Sequence, residues 1–169
     1  MNIDYTQDSF FNYVERGDKV VVELFLAAGM SPNSRQSGFS EKTILMVAAK
    51  KGNEEIMKLL ISKGADVNGK DKYGFTALID AVIEGNAEIV KVLLNKGADV
   101  RAKVTDGAFC RYDSMDFALQ IKKRNPEIFK ALLNKGDYND KELGTILFFA
   151  KEIGYTEAVD ILKKAGVKE

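Results

Sequence analysis

The sequence predicts an all-α solenoid, in which helix-turn-helix units stack on one another and are joined by projecting turns. The first observation is an internal repeat, because Gly64 and Gly97 lie 33 residues apart, as do Gly52 and Gly85. The second is the helical spacing of apolar residues within each copy. The third is a glycine at the end of each apolar segment, where a left-handed backbone stops a helix without steric cost. Helices this short are marginal alone, so neighbouring copies must stack to bury their apolar faces.

The clearest copy shows how one unit is built. A first helix is predicted over about residues 76–84, and Gly85 ends it. A second helix is predicted over about residues 87–95, and it ends before Gly97. After Gly97, residues 98–100 lead into a turn.

Five such units are predicted to fill a single domain, residues 1–169. The two central copies are strong, and the other three depend on the spacing of glycines and apolar residues. The predicted units span approximately 8–34, 42–68, 75–101, 114–137 and 145–166, with lengthened turns at 35–41 and 102–113.

The composition is that of a globular protein, with 46% hydrophobic and 30% charged residues. Lys plus Arg and Asp plus Glu each number 25, so there is no basic excess and no nucleic-acid partner is expected. No apolar run is long enough to span a bilayer, and no signal peptide is visible. We therefore expect a soluble, cytoplasmic (intracellular) protein, and delivery as an effector remains open.

The sequence offers little catalytic chemistry. It has no histidine, which removes Ser-His-Asp and Cys-His catalysis, and its single cysteine, Cys110, cannot form a thiolate-rich zinc site. No catalytic residue, metal or cofactor is therefore predicted. The alternative is an atypical enzyme that uses carboxylates, or Cys110 activated by the neighbouring Arg111.

Two segments, GFTALIDAVIEGNAEIVKVLLNKGADV and KTILMVAAKKGNEEIMKLLISKGADVN, resemble the ankyrin repeat, whose period and T-P-L-H-x-A opening form a known signature. The resemblance covers about residues 8–166. It departs from the family at Ala77 and Ile79, which replace the proline and the histidine of that opening. In the fourth unit Arg124 stands at a glycine position, and a positive φ there would cost about 1 kcal/mol.

The resemblance implies a non-enzymatic protein–protein interaction module that binds another protein of unknown identity. Ankyrin stacks usually contact partners through their projecting turns and the exposed side of the first helices. Tyr, Phe and Arg at such positions are types that carry binding energy. The alternative for Tyr73 and Phe75 is that they pack on adjacent turns. The candidate set is Arg35, Phe39, Lys42, Lys50, Lys51, Lys72, Tyr73, Phe75, Asp80, Ile83, Glu84, Phe109, Arg111 and Tyr112.

The two ends of the chain differ in polarity. In the last unit Lys163 stands where Leu60 and Leu94 stand earlier, which is typical of a terminal unit that closes a stack. The first unit is more apolar, and Ile3 and Tyr5 could fold back over it. We expect this coverage and a monomer; the alternative is a structural protein that homo-oligomerises through the first unit.

Overall fold

The structure is a computed structural model that describes residues 4–168, and this part of the chain is all-helical, without a β-strand. The prediction of an all-α solenoid is confirmed. None of the described helices is long and apolar enough to cross a membrane. The ten α-helices follow one another in pairs: α1 (Gln7–Arg16) and α2 (Lys19–Ala27), α3 (Ile44–Lys51) and α4 (Glu54–Ser62), α5 (Ala77–Glu84) and α6 (Ala87–Asn95), α7 (Ser114–Gln120) and α8 (Pro126–Lys135), and α9 (Asp140–Glu152) and α10 (Thr156–Lys164).

Local signals in the sequence fix the central helices. The Thr43 and Thr76 side chains cap α3 and α5 by accepting hydrogen bonds from the backbone three residues later. Gly52 and Gly85 end these helices with φ of 73° and 74°, which is the left-handed region. As a result, α5 and α6 agree with the predicted helices to within one residue.

The helices form two layers. The first helices of the pairs pack along one layer from α1 through α3 and α5 to α7. In the other layer α2 packs on α4, and α8 packs on both α6 and α10. Ala48, Ala49 and Ala81 are fully buried, and their small side chains let the layers approach closely. The helix α9 packs chiefly against α10, so a cleft remains between α9 and α7.

Asparagine side chains join consecutive loops of the stack. Asn68 donates from Nδ2 to Gly97 O at 3.1 Å, and its Oδ1 accepts from Asp99 N at 2.8 Å. Asn33 makes the equivalent pair of bonds one repeat earlier. These bonds connect loops, as the family's missing histidine would. Arg101 stands one repeat after Asn68 and ends the series.

The fourth pair departs from the regular repeat. Its first helix ends at Gln120, and Ile121 is extended with ψ of 146°. The link between α7 and α8 is therefore longer than the link between α5 and α6. Arg124 is not among the described non-glycine residues with positive φ, so the strain expected there does not arise. Its guanidinium instead donates to the carbonyl oxygens of Ile153, at 2.8 Å, and Gly154, at 3.3 Å.

The fifth pair begins earlier than residue 145, where the repeat register places its start. Asn139 and Glu142 form a capping box in which each side chain accepts a hydrogen bond from the backbone of the other. This cap starts α9 at Asp140 and leaves Thr145 inside the helix, where its hydroxyl donates to Lys141 O. The capping box is the stronger start signal and overrides the repeat.

The expected difference in polarity between the two ends of the stack is only partial, because Phe148 and Phe149 of α9 are exposed. Lys163 is exposed, whereas Leu94, which stands at the same distance from the preceding helix-ending glycine, is buried. Leu60 corresponds instead to Leu162, and both are buried. At the other end, the Tyr5 ring lies 4.9 Å from the Phe25 ring, between centroids. The predicted coverage by Ile3 lies outside the described residues.

Candidate interaction surface

Three loops lie side by side along one edge of the stack. Lys72 N donates to Ser40 O at 3.0 Å, and Thr105 N donates to Tyr73 O at 2.8 Å. These backbone bonds join the loops into one continuous surface. The loops are called loop 1 (35–41), loop 2 (69–75) and loop 3 (102–113).

Loop 2 holds this arrangement together from its centre. Asp71 is buried, and its Oδ1 accepts hydrogen bonds from Tyr73 N and Phe75 N, both at 2.9 Å. Gly74 has φ of 86°, and a Cβ on it would lie 2.9 Å from Thr105 N. Glycine is therefore required for loop 2 to approach loop 3 this closely.

Loop 3 is a closed finger. Val104 N donates to Tyr112 O at 2.9 Å, and Arg111 N donates to Val104 O at 2.8 Å, so the two ends of the finger are paired. The short 3-10 helix Gly107–Phe109 forms its tip. The finger thus has a defined shape, although most of its side chains are exposed.

The loops present five aromatic side chains, which we call the aromatic crest. The Phe39 ring is 82% exposed and lies 5.7 Å from the half-buried Tyr73 ring. The Phe109 ring is 48% exposed. Tyr73 therefore packs on a neighbouring loop, as the alternative supposed, whereas Phe75 packs on Phe117 of α7. Phe39 and Phe109 remain open. The aromatic crest comprises Phe39, Tyr73, Phe75, Phe109 and Tyr112.

A buried ring supports the crest from below. Phe117 of α7 is 4% exposed, and its ring centroid lies 5.8 Å from Phe75, 5.4 Å from Phe109 and 5.7 Å from Tyr112. The sequence does not single out Phe117, because the spacing in the fourth unit allows either Ala118 or Gln120 at the position that Ala81 holds in the third. The spacing between Asp113, which caps α7, and Phe117 could have indicated it, since it equals the spacing between Thr76 and Asp80.

The crest is surrounded by positive charge. Lys72 places its Nζ 5.3 Å from the centroid of the Phe39 ring. The exposed acidic residues of the three loops are Glu41 and Asp106, since Asp71 and Asp113 are buried. Within the described residues, the exposed cations of these loops form no ion pair. Those cations are Arg35, Lys70, Lys72, Lys103 and Arg111.

The remaining candidates lie on or beside the first helices, and two of them are bound to each other. Lys42 Nζ lies 2.6 Å from Asp80 Oδ2, and the Asp80 side chain is only 8% exposed. Burial raises the pKa of Asp80, and the nearby Lys42 only partly offsets this rise. Asp80 is therefore placed in an internal ion pair and not on the open surface.

Two further candidates form ion pairs with residues of neighbouring units. Lys51 Nζ lies 3.8 Å from a carboxylate oxygen of Glu15, and Glu84 accepts from Lys123 at 3.4 Å. Lys50 is exposed and Ile83 is half-buried. Arg35 lies in loop 1 and donates to the carbonyl oxygens of Glu41 and Lys70. The inner helix surface therefore presents fewer unpaired groups than the crest.

A cleft of about 260 Å³ lies between α7 and α9. Arg101 forms an ion pair with Glu142 there, and its guanidinium carbon lies 4.7 Å from the centroid of the Tyr138 ring. Burial raises the pKa of Tyr138, and Asp113 adds to the rise. Cys110 does not line this cleft; it is exposed on loop 3, and its thiol lies 3.6 Å from the carbonyl oxygen of Thr105.

Replacing Asp113 by Asn tests the electrostatics of this region. Asp113 caps α7, and burial raises its pKa, with a further contribution from Asp116. Since the pKa is higher in the folded state than in the unfolded chain, ionisation of Asp113 costs stability as pH rises through the folded pKa. Asparagine keeps the capping acceptor without the charge. We expect Asp113→Asn to gain stability relative to the unmodified chain between about pH 4 and about pH 7.

Urea unfolding of both chains at the two pH values measures this gain. The prediction concerns the change with pH, so any constant effect of the amide on the cap cancels. A difference in unfolding free energy that stays constant, or that favours Asp113 at the higher pH, would contradict it.

Comparison with known proteins gives the family. A model of ankyrin repeats in three copies matches residues 10–104, which is more than half of the chain. M-phase phosphoprotein 8 of Homo sapiens is 43% identical over 68 residues, which are 40% of this chain and 8% of that protein. Protein HOS4 of Saccharomyces cerevisiae is 40% identical over 70 residues, 41% of this chain and 6% of that protein. The potassium channel GORK of Arabidopsis thaliana is 37% identical over 68 residues, 40% of this chain and 8% of that protein.

The matched segment thus spans less than a tenth of each of these relatives. The comparison with these relatives therefore concerns only that part of each protein. The repeat in the sequence, the paired helices of the structure and the family model all indicate ankyrin repeats. The chain belongs to the ankyrin repeat family, whose members are generally non-enzymatic protein-interaction modules.

Proposed function

We propose that this chain is a non-enzymatic module that binds a partner protein mainly through the aromatic crest. The observation that carries the proposal is the 82% exposure of Phe39 on a loop whose backbone is hydrogen-bonded to loop 2. A large apolar ring held in water gains about 1.5–3 kcal/mol when a partner buries it fully. The crest therefore has a reserve of binding energy that the folded chain does not use.

The crest is also pre-organised. Loop 2 is fixed by Asp71, and loop 3 is closed by the bonds between Val104 and the end of the finger. A partner would not have to order these loops, so less of the interaction energy would be lost on binding. This supports the view that the loops bind a partner and do not merely connect the helices.

The inner helices have a smaller part in the proposal. Lys42, Asp80, Lys51 and Glu84 are engaged in ion pairs within the chain. A partner would have to break or share these pairs. Lys50 and Ile83 are the inner-surface candidates that could extend the contact from the crest.

Affinity capture from the native source tests the proposal with two matched variants. The crest variant carries Phe39→Ser and Phe109→Ser. The control carries Phe148→Ser and Phe149→Ser, which lie on α9 and are 59% and 51% exposed. We expect the control to capture the same partner as the unmodified chain, and the crest variant to capture at least about tenfold less.

Circular dichroism and thermal unfolding would establish that both variants fold. If the folded crest variant retains the partner, or if the α9 control loses it, the crest is not the main contact. The proposal includes a cytoplasmic partner, which agrees with a chain whose single cysteine forms no internal disulfide.

Homo-oligomerisation through the first unit is a second candidate. Val20 and Leu24 are 70% and 45% exposed, and their spacing places them on one face of α2. Such a pair could bind the same face of a second copy. Sedimentation of the unmodified chain tests this, and a single monomeric species at high concentration would rule it out.

A further inference from the structure

We infer that the aromatic crest takes an acidic segment of its partner, an extended stretch in which carboxylates flank an apolar side chain. The inference deepens the proposed function and rests on it. It concerns the chemistry of the partner, which the family does not fix, since repeat stacks keep a scaffold and vary their surface.

The distribution of charge is the first support. The whole chain is neutral, with 25 cationic and 25 anionic side chains. The three loops nevertheless expose five cations and two acids, Glu41 and Asp106. The other loop acids, Asp71 and Asp113, are buried and accept backbone hydrogen bonds. The crest is thus a local basic surface on a neutral protein, and complementary charge favours an acidic partner.

Phe39 and Lys72 form the first anchoring point. The ammonium group of Lys72 lies over the Phe39 ring, and the Tyr73 ring lies beside it. An apolar side chain packed on the open part of Phe39 would bring its neighbouring residues close to Lys72. A carboxylate at such a neighbour would neutralise this ammonium group, which has no ion-pair partner among the described residues.

Phe109 and Arg111 form the second anchoring point. Both are exposed on the closed finger, and Arg111 has φ of 77°, a conformation fixed by the hydrogen bond from its N–H to Val104. The bond between Thr105 and Tyr73 places this point on the same surface as the first. Because each point pairs a ring with a cation, one extended segment with repeated acidic residues could satisfy both.

A single-stranded nucleic acid would also bring negative charge, but it needs a series of open rings on which bases stack. Tyr73 has a buried hydroxyl and a half-buried ring, and Tyr112 is half-buried with its hydroxyl bonded to Gln120 Oε1 at 3.1 Å. Phe39 and Phe109 are thus the open rings of the crest, and they belong to different loops. The observations favour a peptide.

Fluorescence anisotropy with synthetic peptides tests the inference on the full chain. Three labelled peptides of about twelve residues, roughly 40 Å when extended, share a central Phe-Leu pair. Asp and Glu flank the pair in the first, Ser and Gln in the second, and Lys in the third. A single-stranded oligothymidine of about the same length is the fourth probe. We expect the acidic peptide to bind at least about tenfold tighter than each of the others, and to weaken as salt is raised.

Two charge variants locate the site. Lys72→Glu with Arg111→Glu should weaken the binding of the acidic peptide at least about tenfold. Lys130→Glu with Lys141→Glu makes the same change in net charge on α8 and α9, and should alter binding less than about twofold. The absence of any preference for the acidic peptide, equal effects of the two variants, or tighter binding of oligothymidine would each overturn the inference.

The same charge variants in the capture experiment separate this inference from the proposed function. If Phe39→Ser with Phe109→Ser abolishes capture while Lys72→Glu with Arg111→Glu does not, the crest binds a partner that is not acidic. If neither crest variant affects capture, the proposed function itself is wrong.

Discussion

Phe117→Ala is expected to lower the free energy of unfolding by about 3–5 kcal/mol, which is usual for a buried aromatic ring replaced by a methyl group. Phe117 is 4% exposed, and it contacts three crest rings from below. Its removal leaves a cavity under Phe75, Phe109 and Tyr112. Urea unfolding measures the loss of stability, and partner capture by the folded fraction measures the loss of the crest.

Phe148→Ala is the matched control for this substitution. The Phe148 ring is 59% exposed on α9, so little apolar burial is lost with it. We expect a change within about 1 kcal/mol. Similar costs for Phe117→Ala and Phe148→Ala would mean that Phe117 does not support the crest as the structure indicates.

Gly74→Ala is expected to cost about 2 kcal/mol and to separate loop 2 from loop 3. Alanine at a positive φ costs roughly 1–2 kcal/mol. In addition, its Cβ would lie 2.9 Å from Thr105 N and 3.0 Å from Lys103 O, which is closer than these backbone atoms allow. The bond from Thr105 N to Tyr73 O should break, so the Thr105 amide should exchange faster with solvent.

Gly144→Ala is the corresponding control, and it should raise the free energy of unfolding where Gly74→Ala lowers it. Gly144 lies inside α9, and no atom within 4 Å would meet its Cβ. Alanine is the better helix former there by about 1 kcal/mol, so the chain should become more stable. A neutral result for Gly74→Ala, together with unchanged exchange at Thr105, would show that the close approach of the two loops is not required.

The central helices were predictable because strong local signals agree with the repeat. Thr76 caps α5 and Gly85 ends it, and both signals are visible in the sequence. The start of α9 was not predictable in the same way, because the capping box of Asn139 and Glu142 competes with the repeat register and determines where the helix begins. Where a local signal and the repeat disagree, the sequence alone does not show which one decides.

The sequence indicated which residues of the candidate surface are exposed, but not which of them form ion pairs with one another. Phe39 and Phe109 lie in lengthened turns, so their exposure followed from the repeat register. The ion pair of Lys42 with Asp80 depends on the distance between two units, which the sequence does not contain. The support that Phe117 gives to the crest likewise depends on three rings that meet only in the folded chain.

The relatives give little information about the partner of this chain. Each matches this chain over 68–70 residues, and the match makes up less than a tenth of the relative. A shared stack shows a common scaffold, and the partner depends on the side chains that the scaffold presents. The crest is therefore the part of this chain from which its own function should be sought.

Hydrogen exchange with and without the captured partner tests the role of the crest most directly. It reports backbone protection along the whole chain and needs no substitution. The proposal predicts that binding slows exchange in loops 1, 2 and 3, with a smaller effect in α3 and α5 and none in α9 and α10. Protection confined to α2 or α9, with the three loops unchanged, would contradict it.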